Sequence, residues 1–302
     1  MERLQPFLVI AHRGASGYRP EHTLASYELG IEMGADFIEP DLVITRDGIL
    51  IARHENEISE TTDVSSRPEF TDRKTTKRID GRDVTGWFTE DFTLAEIKTL
   101  RARERLPFRD HSYDGRFEVP TFDEVLDLAV RRGVGVYPET KHPSYFRRIG
   151  LPLEKPLLAA LAARGWTDRD APVFIQSFET GNLRELRKQT NVRLIQLLEA
   201  EGHGHATFED LAWIAGYADG IGPDKRLIVP QGQDGRLLPP TSLVEDAHRA
   251  GLAVHPWTFR SDPQFLAPEY EGRPEREIEQ FLALGVDGLF SDFPDIAARV
   301  KR

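Results

Sequence analysis

Two hydrophobic periods share this chain. Short apolar runs of strand length alternate with longer stretches that repeat an apolar residue every third or fourth position. Phe7 to Ala11 reads as a strand, and His12-Arg13-Gly14-Ala15 follows at its C-terminal end. Pro20-Glu21-His22-Thr23 leads into a helical pattern through about Met33. Glu21 suits the positive end of that helix, and His22 reads as a turn or cap residue. Gly34 to His54 is strand-like again. It carries Glu39 and Asp41 around Pro40, a turn at Thr45-Arg46-Asp47-Gly48, and a second extended piece from Ile49 to His54. A proline removes a ladder donor, so the first of these strands is expected to end or bend at Pro40.

From Glu55 to Glu118 the alternation stops. The span is polar, charged and rich in turn residues such as Asp80-Gly81 and Asp114-Gly115, with one short helix expected from Thr93 to Arg103. It reads as an insertion, a small cap over one end of the main domain, its charges forming a solvated face. From Val119 the strand–helix alternation resumes. Helices are expected over Thr121 to Arg132, Leu153 to Arg164, Thr180 to Thr190, Phe208 to Ala215, Thr241 to Ala250 and Glu275 to Ala283. Strands are expected at Gly135 to Tyr137, Val173 to Ile175, Arg193 to Leu197, Gly220 to Gly222, Ala253 to His255 and Asp287 to Phe290. With those before the insertion, this makes about eight strand–helix units and no sequence repeat. Repeated βα units imply parallel strands, and eight imply a closed α/β barrel of the TIM (β/α)8 type. The expected organisation is one barrel domain over residues 1–302 with residues 55–118 inserted in it.

That fold decides how the polar residues are read. His12, Glu39, Asp41, Glu139, Lys141, Gln176 and Ser291 all follow or close a strand at its C-terminal end, and in such a barrel those ends form one rim around one pocket. Glu39 and Asp41, two apart, point the same way along a strand, and adjacent anions repel unless a cation or shared protons compensate. Glu139 adds a third carboxylate. Carboxylates with open positions suit a hard divalent cation, Mg²⁺ or Ca²⁺, better than zinc. Arg13 is a candidate phosphate clamp, and Lys141 lies on the same face as Glu139 by strand parity. His54 is delivered back toward the carboxylates by its extended segment, and His12 is a potential proton shuttle. A positive pocket with two histidines implies phosphoester chemistry.

The chain has 302 residues, enough for one large α/β domain or two small ones. Its net charge of −11 argues against nucleic acid or an anionic membrane surface as the main partner, though not against a small anionic substrate. With no cysteine, disulfides and thiolate metal sites are excluded. Met1 to Pro6 has no apolar signal core, no apolar run reaches the length of a membrane helix, and a cytoplasmic location is expected.

The segments His12-Arg13-Gly14-Ala15, Pro20-Glu21-His22-Thr23, Gly34-Ala35-Asp36 with Glu39 and Asp41, Thr45 to Gly48, His54 and Glu139-Thr140-Lys141 together resemble the glycerophosphodiester phosphodiesterase family. So do Gln176-Ser177-Phe178, Trp257 and Ser291-Asp292-Phe293-Pro294, so the likeness spans the chain. The resemblance implies a TIM-type barrel with an insertion after its second strand. It implies a metal on Glu39, Asp41 and Glu139, acid/base roles for His12 and His54, and phosphate contacts from Arg13 and Lys141. Glu55 departs from it, since many members carry Asp after the histidine. The expected reaction is metal-dependent cleavage of glycerophosphodiesters, such as glycerophosphocholine or glycerophosphoethanolamine, to glycerol 3-phosphate and an alcohol. The expected cofactor is one divalent cation, Ca²⁺ or Mg²⁺, with Trp257 as an apolar wall for the glycerol. The rivals are a lysophospholipase D-like or sphingomyelinase D-like hydrolase on the same fold and a non-catalytic phosphodiester-binding protein. Two retained histidines count against the last.

Overall fold

The computed structural model describes residues 7–200 and 206–302. The expectation about Met1 to Pro6 therefore lies outside the described residues. In chain order the strands are β1 (Leu8–His12), β2 (Phe37–Glu39) with its continuation β3 (Asp41–Ile44), the antiparallel β4 (Leu50–Ala52), and a hairpin of β5 (Thr75–Ile79) and β6 (Arg82–Gly86). Then come β7 (Gly135–Val136) with its continuation β8 (Glu139–Thr140), β9 (Phe174–Ser177), β10 (Arg193–Leu198), β11 (Gly220–Pro223), β12 (Ala253–Val254) and β13 (Gly288–Ser291).

Parallel pairing runs β13–β1–β2–β7 on one side and β12–β11–β10–β9–β8–β3 on the other. The interrupted strands β2/β3 and β7/β8 join the two arcs. Asp287 N–H donates to the Val254 carbonyl and Phe290 N–H to the Pro256 carbonyl, both at 3.0 Å, which brings β13 onto β12. The ring is the (β/α)8 barrel expected from the alternation. The strands read as short continuous apolar runs because both faces are covered, by the barrel interior and by the outer helices.

Inside the ring, Ile10, Phe37, Tyr137, Phe174, Ile195 and Phe290 form a separate apolar plug. Tyr137 and Phe174 stack with centroids 4.9 Å apart, and the Tyr137 hydroxyl reaches His255 Nδ1 at 2.8 Å. His255 is buried and held neutral, its pKa lowered to about 4 by that burial. The larger core lies between strands and helices. Helix α1 (Leu24–Glu32) starts at the Thr23 cap, whose hydroxyl accepts from Ser26 N–H. Helices α2 (Leu94–Ile97) and α3 (Phe122–Arg132) each open on a threonine–glutamate capping box, Thr93 with Glu96 and Thr121 with Glu124. Gly133 ends α3 at φ +68°, a conformation a side-chain-bearing residue adopts only at a cost.

Two expectations for residues 55–118 are corrected. The helix expected over Thr93 to Arg103 is a single turn, α2, because the chain leaves it to pair elsewhere: Ala102 N–H donates to the Phe117 carbonyl and Arg103 N–H to the Thr61 carbonyl. Nor is the segment only a solvated face. It buries Phe70, Trp87, Phe88, Phe92, Ile97 and Leu100 in the same core as the barrel helices, and its Arg105 and Arg109 reach the rim. Among the described residues no helix is long and apolar enough to cross a membrane.

Candidate active site

The strand ends open into one cavity of about 850 Å³, and His12, Arg13, Glu39, His54, Glu139 and Lys141 all line it. Asp41 lies directly beneath, 1% exposed. The strand break at Pro40 falls where expected, with β2 ending on Glu39 and β3 starting on Asp41. Asp41 and Glu139 are register partners on paired strands, and His12 is the partner of Glu39. One carboxylate oxygen from each of Glu39, Asp41 and Glu139 lies within 4.8 Å of the others, and all three residues are buried.

Three buried carboxylates this close cannot all stay ionised without compensation. Burial and the Asp41 and Glu139 charges push the Glu39 carboxyl well above its usual range. Glu139 is pushed up to about 8 by burial and Asp41, against the pull of Lys141. For Asp41 burial is outweighed by the Lys141 charge and a hydrogen bond from His22, so its carboxyl sits well below the usual range. Asp41 Oδ1 is nevertheless buried with no hydrogen-bond partner, and so is Gln176 Oε1. Gln176 is fixed through its amide nitrogen, which donates to Glu39 Oε1 at 3.1 Å. Orphaned oxygens beside anions that repel one another are the donor set of a hard divalent cation, and the residues present fit such a group.

Two cations border the triad. Arg13 sits at φ +60°, and from this left-handed turn its N–H donates to Glu39 Oε2 at 2.8 Å while its guanidinium reaches Glu21 at 3.0 Å and Asp41 at 3.5 Å. A non-glycine residue in that region costs about 1–2 kcal/mol, and it points the backbone donor at the acid. Gly14 follows at φ +87°, where a Cβ would stand 2.5 Å from the Ser26 carbonyl carbon, so this turn against α1 admits glycine alone. Lys141 Nζ lies 3.0 Å from Glu139 Oε1. Both cations are held charged against the cost of burial by the surrounding carboxylates.

The histidines are oriented by acids. His12 Nδ1 meets Asp292 Oδ1 at 2.6 Å, and His54 Nδ1 lies 3.1 Å from Glu55 Oε1. Burial and then Arg13 hold His12 below its ordinary pKa, and burial, Arg13 and Lys141 do the same to His54. Trp257 lines the cavity, edge-on to Phe178 at 5.7 Å, its indole N–H donating to the Gly222 carbonyl at 2.7 Å. Ser291 is not among the residues that line the cavity; its hydroxyl accepts from Phe293 N–H at 3.0 Å.

His22 is more than a turn residue. It is fully buried at φ +54°, with Nε2 on Asp41 Oδ2 at 2.9 Å and Nδ1 on the Tyr27 hydroxyl at 2.7 Å. It fixes the orientation of Asp41. Arg53, wholly buried, donates to the carbonyls of Ala52, Thr61, Glu21 and His22, so it locks the segment that carries His54 to the turn that carries His22. Asp292, His22 and Arg53 were not assigned these roles from sequence. The one cue was that two histidines followed strands and needed acidic partners.

A model of the glycerophosphoryl diester phosphodiesterase family matches residues 12–296. A glycerophosphodiester phosphodiesterase of Arabidopsis thaliana, GDPD6, is 39% identical over 94% of this chain and 83% of its own length. That of Bacillus subtilis is 33% identical over 98% and 86%. Among solved structures, an Oleispira antarctica phosphodiesterase in complex with the product sn-glycerol-3-phosphate superimposes with a TM-score of 0.69 at 22% identity, covering 97% of this chain and 96% of that one. The match to the family therefore begins at His12 and runs through every strand end that lines the cavity, and this chain belongs to the glycerophosphoryl diester phosphodiesterase family.

Proposed function

We propose that the protein hydrolyses glycerophosphodiesters, glycerophosphocholine and glycerophosphoethanolamine among them, to glycerol 3-phosphate and an alcohol, with a divalent cation, Ca²⁺ or Mg²⁺, held by Glu39, Asp41 and Glu139. The observation that carries the reading is the convergence of three buried carboxylates, two buried cations and two acid-oriented histidines in one cavity. When bound, the cation supplies Lewis acidity to the phosphate oxygens. Arg13 and Lys141 orient the phosphate and take up charge that develops on it. The anionic diester offsets their fields at the histidines and so raises the proton affinity of both.

His12 acts as base. Its Nδ1 is committed to Asp292, which leaves Nε2 to receive a proton, and its lowered pKa keeps the ring neutral at rest. His54 acts as acid toward the departing alcohol, with Glu55 stabilising the imidazolium. Trp257 walls the glycerol side. The test is glycerol 3-phosphate release from glycerophosphocholine with and without chelator. Activity is expected to vanish in excess EDTA and return with Ca²⁺ or Mg²⁺, and Glu39→Gln should weaken metal affinity and turnover together. Full turnover in excess chelator would remove the metal from the reading, and faster cleavage of a long-chain lysophospholipid would favour a lysophospholipase D-type substrate.

A further inference from the structure

Beyond the pair of His54 and Glu55 the pocket wall continues through two more titratable groups that the reaction above does not use. His142 follows Lys141 directly. Its φ of +46° turns its ring toward the 55–118 segment, and its side chain is only 13% exposed. Nε2 lies 2.7 Å from Glu55 Oε2, and Nδ1 lies 2.5 Å from Asp80 Oδ2. An ionised carboxylate only accepts, so an imidazole between two of them donates from both nitrogens as the imidazolium. The other Glu55 oxygen faces His54 Nδ1. Glu55 thus receives a donor from each side, which fixes the His54 tautomer with its proton on Nδ1 and leaves Nε2 for the cavity.

Asp80 sits at the tip of the β5–β6 hairpin. It has φ +45° and precedes Gly81 at φ +80°, the two-residue turn with positive φ at both positions that suits the twist of a hairpin. Ile79, Arg82 and Val84 of that hairpin line the same cavity. The order of groups from the centre outward is His54, Glu55, His142, Asp80. Each contact spans separate elements of the fold except the first.

We propose that His142 is a positioning residue for His54, acting through Glu55, and that Asp80 ties the hairpin tip into the same chain. This rests on the reading of His54 as a proton-transferring group. A plain ion pair on the rim would support the fold without reporting to His54, and the two differ in a measurable way.

The experiment is a double-mutant cycle on glycerophosphocholine hydrolysis. His142→Phe in the otherwise intact protein should lower kcat about 3- to 10-fold, no more than loss of Glu55 through which it acts, with KM changed less than about threefold. In a His54→Ala background the same change should cost less than about twofold, because residues that act through one another do not add. Asp80→Asn, at an exposed tip that keeps the hairpin intact, should follow the same pattern at a smaller scale and serves if His142→Phe fails to fold. An equal loss in both backgrounds, or a change confined to KM, overturns the proposal. Should the wild-type protein release no glycerol 3-phosphate, it is the functional reading that fails, and ¹⁵N spectra of histidine-labelled protein still decide the geometry. A His142 ring protonated on both nitrogens at pH 7.5, and altered by Asp80→Asn, supports the chain of contacts. A neutral ring in the wild type overturns it.

Discussion

On the His12 side, Nδ1 meets Asp292 at 2.6 Å, and Asp292 in turn receives Arg109 at 2.6 Å and Arg260 at 3.1 Å. On the His54 side, Nδ1 meets Glu55 at 3.1 Å, in a pair whose side chains keep 30% and 44% of their surface. The first wall is a buried charge network whose acid is 3% exposed, and Arg109 also holds Asp262 at 2.7 Å. Such a network loses heavily when one member is removed, because the rest become uncompensated charges out of water. The second wall is more open at His54 and Glu55, so the contact between those two is better screened and costs less to lose. The difference matches the two tasks proposed. A nucleophile is the same for every diester, whereas the departing alcohol varies in size and charge.

The largest effects should come from the histidines themselves. Loss of either, as His12→Ala or His54→Ala, is expected to lower kcat on a natural diester by about 10²–10⁴, the usual worth of general acid–base catalysis. An aryl diester such as a nitrophenyl ester, whose leaving group departs without a proton, separates them. His54→Ala should recover much of its rate there and His12→Ala should not. The opposite pattern would exchange the two roles and separate the exposure of each wall from the task assigned to it.

Next come the orienting acids. Asp292→Asn is expected to cost about 100-fold in kcat and Glu55→Gln nearer 10-fold, the two ends of the range for outer partners of a site histidine. Asp292→Ala should also lower stability by about 3–5 kcal/mol, since it strands Arg109 and Arg260 beside a buried histidine, while Glu55→Ala, which leaves His142 its second acid Asp80, should lower the urea midpoint less. Equal losses of stability at the two sites would mean that the exposure of Glu55 does not loosen the second wall.

The smallest effect is in the pH dependence of stability. His12, His22 and His54 all sit below their ordinary values, His22 at about 4, so the unfolded chain binds protons below about pH 6.5 that the folded protein refuses. Stability is lost as pH falls through that range. His142 is displaced the other way, up to about 9, by its hydrogen bonds to Asp80 and Glu55, which outweigh burial. Its contribution is full below about pH 6.5 and fades as pH rises toward and past 9. Urea unfolding of wild type and His142→Phe should therefore show a stability difference that narrows between pH 6.5 and 9. A difference that widens there would place a neutral ring in the fold.

The barrel was legible because its strands are covered on both faces and its helices on one, which writes two periods into the sequence. The carboxylate triad was legible for a related reason: a side chain at a strand end has few places to point, so Glu39, Asp41 and Glu139 could be placed together from parity and topology. Their supports could not. Asp292 is 280 positions from His12, and the reach of Arg109 to the rim depends on how residues 55–118 pack. His22 reads as a cap because its neighbours form one, and only the fold shows its ring on Asp41. The apolar layer of residues 55–118 was hidden because Phe70, Trp87, Phe88 and Phe92 fall in or beside short 3₁₀ turns and irregular backbone, too short for hydrophobic spacing to display a period.

The reach of Arg105 and Arg109 from the 55–118 segment to Glu21 and Asp292 has a consequence for anyone who would redesign this protein by loop exchange. A barrel rim is attractive for grafting because strands and helices carry the stability and loops carry the specificity. Here the graft boundary cuts through the supports of Arg13 and His12 as well as the mouth of the cavity. A shortened or foreign segment could preserve every strand-end residue that lines the cavity and still deliver a slack enzyme. A workable chimera would have to bring its own pair of arginines to those two acids.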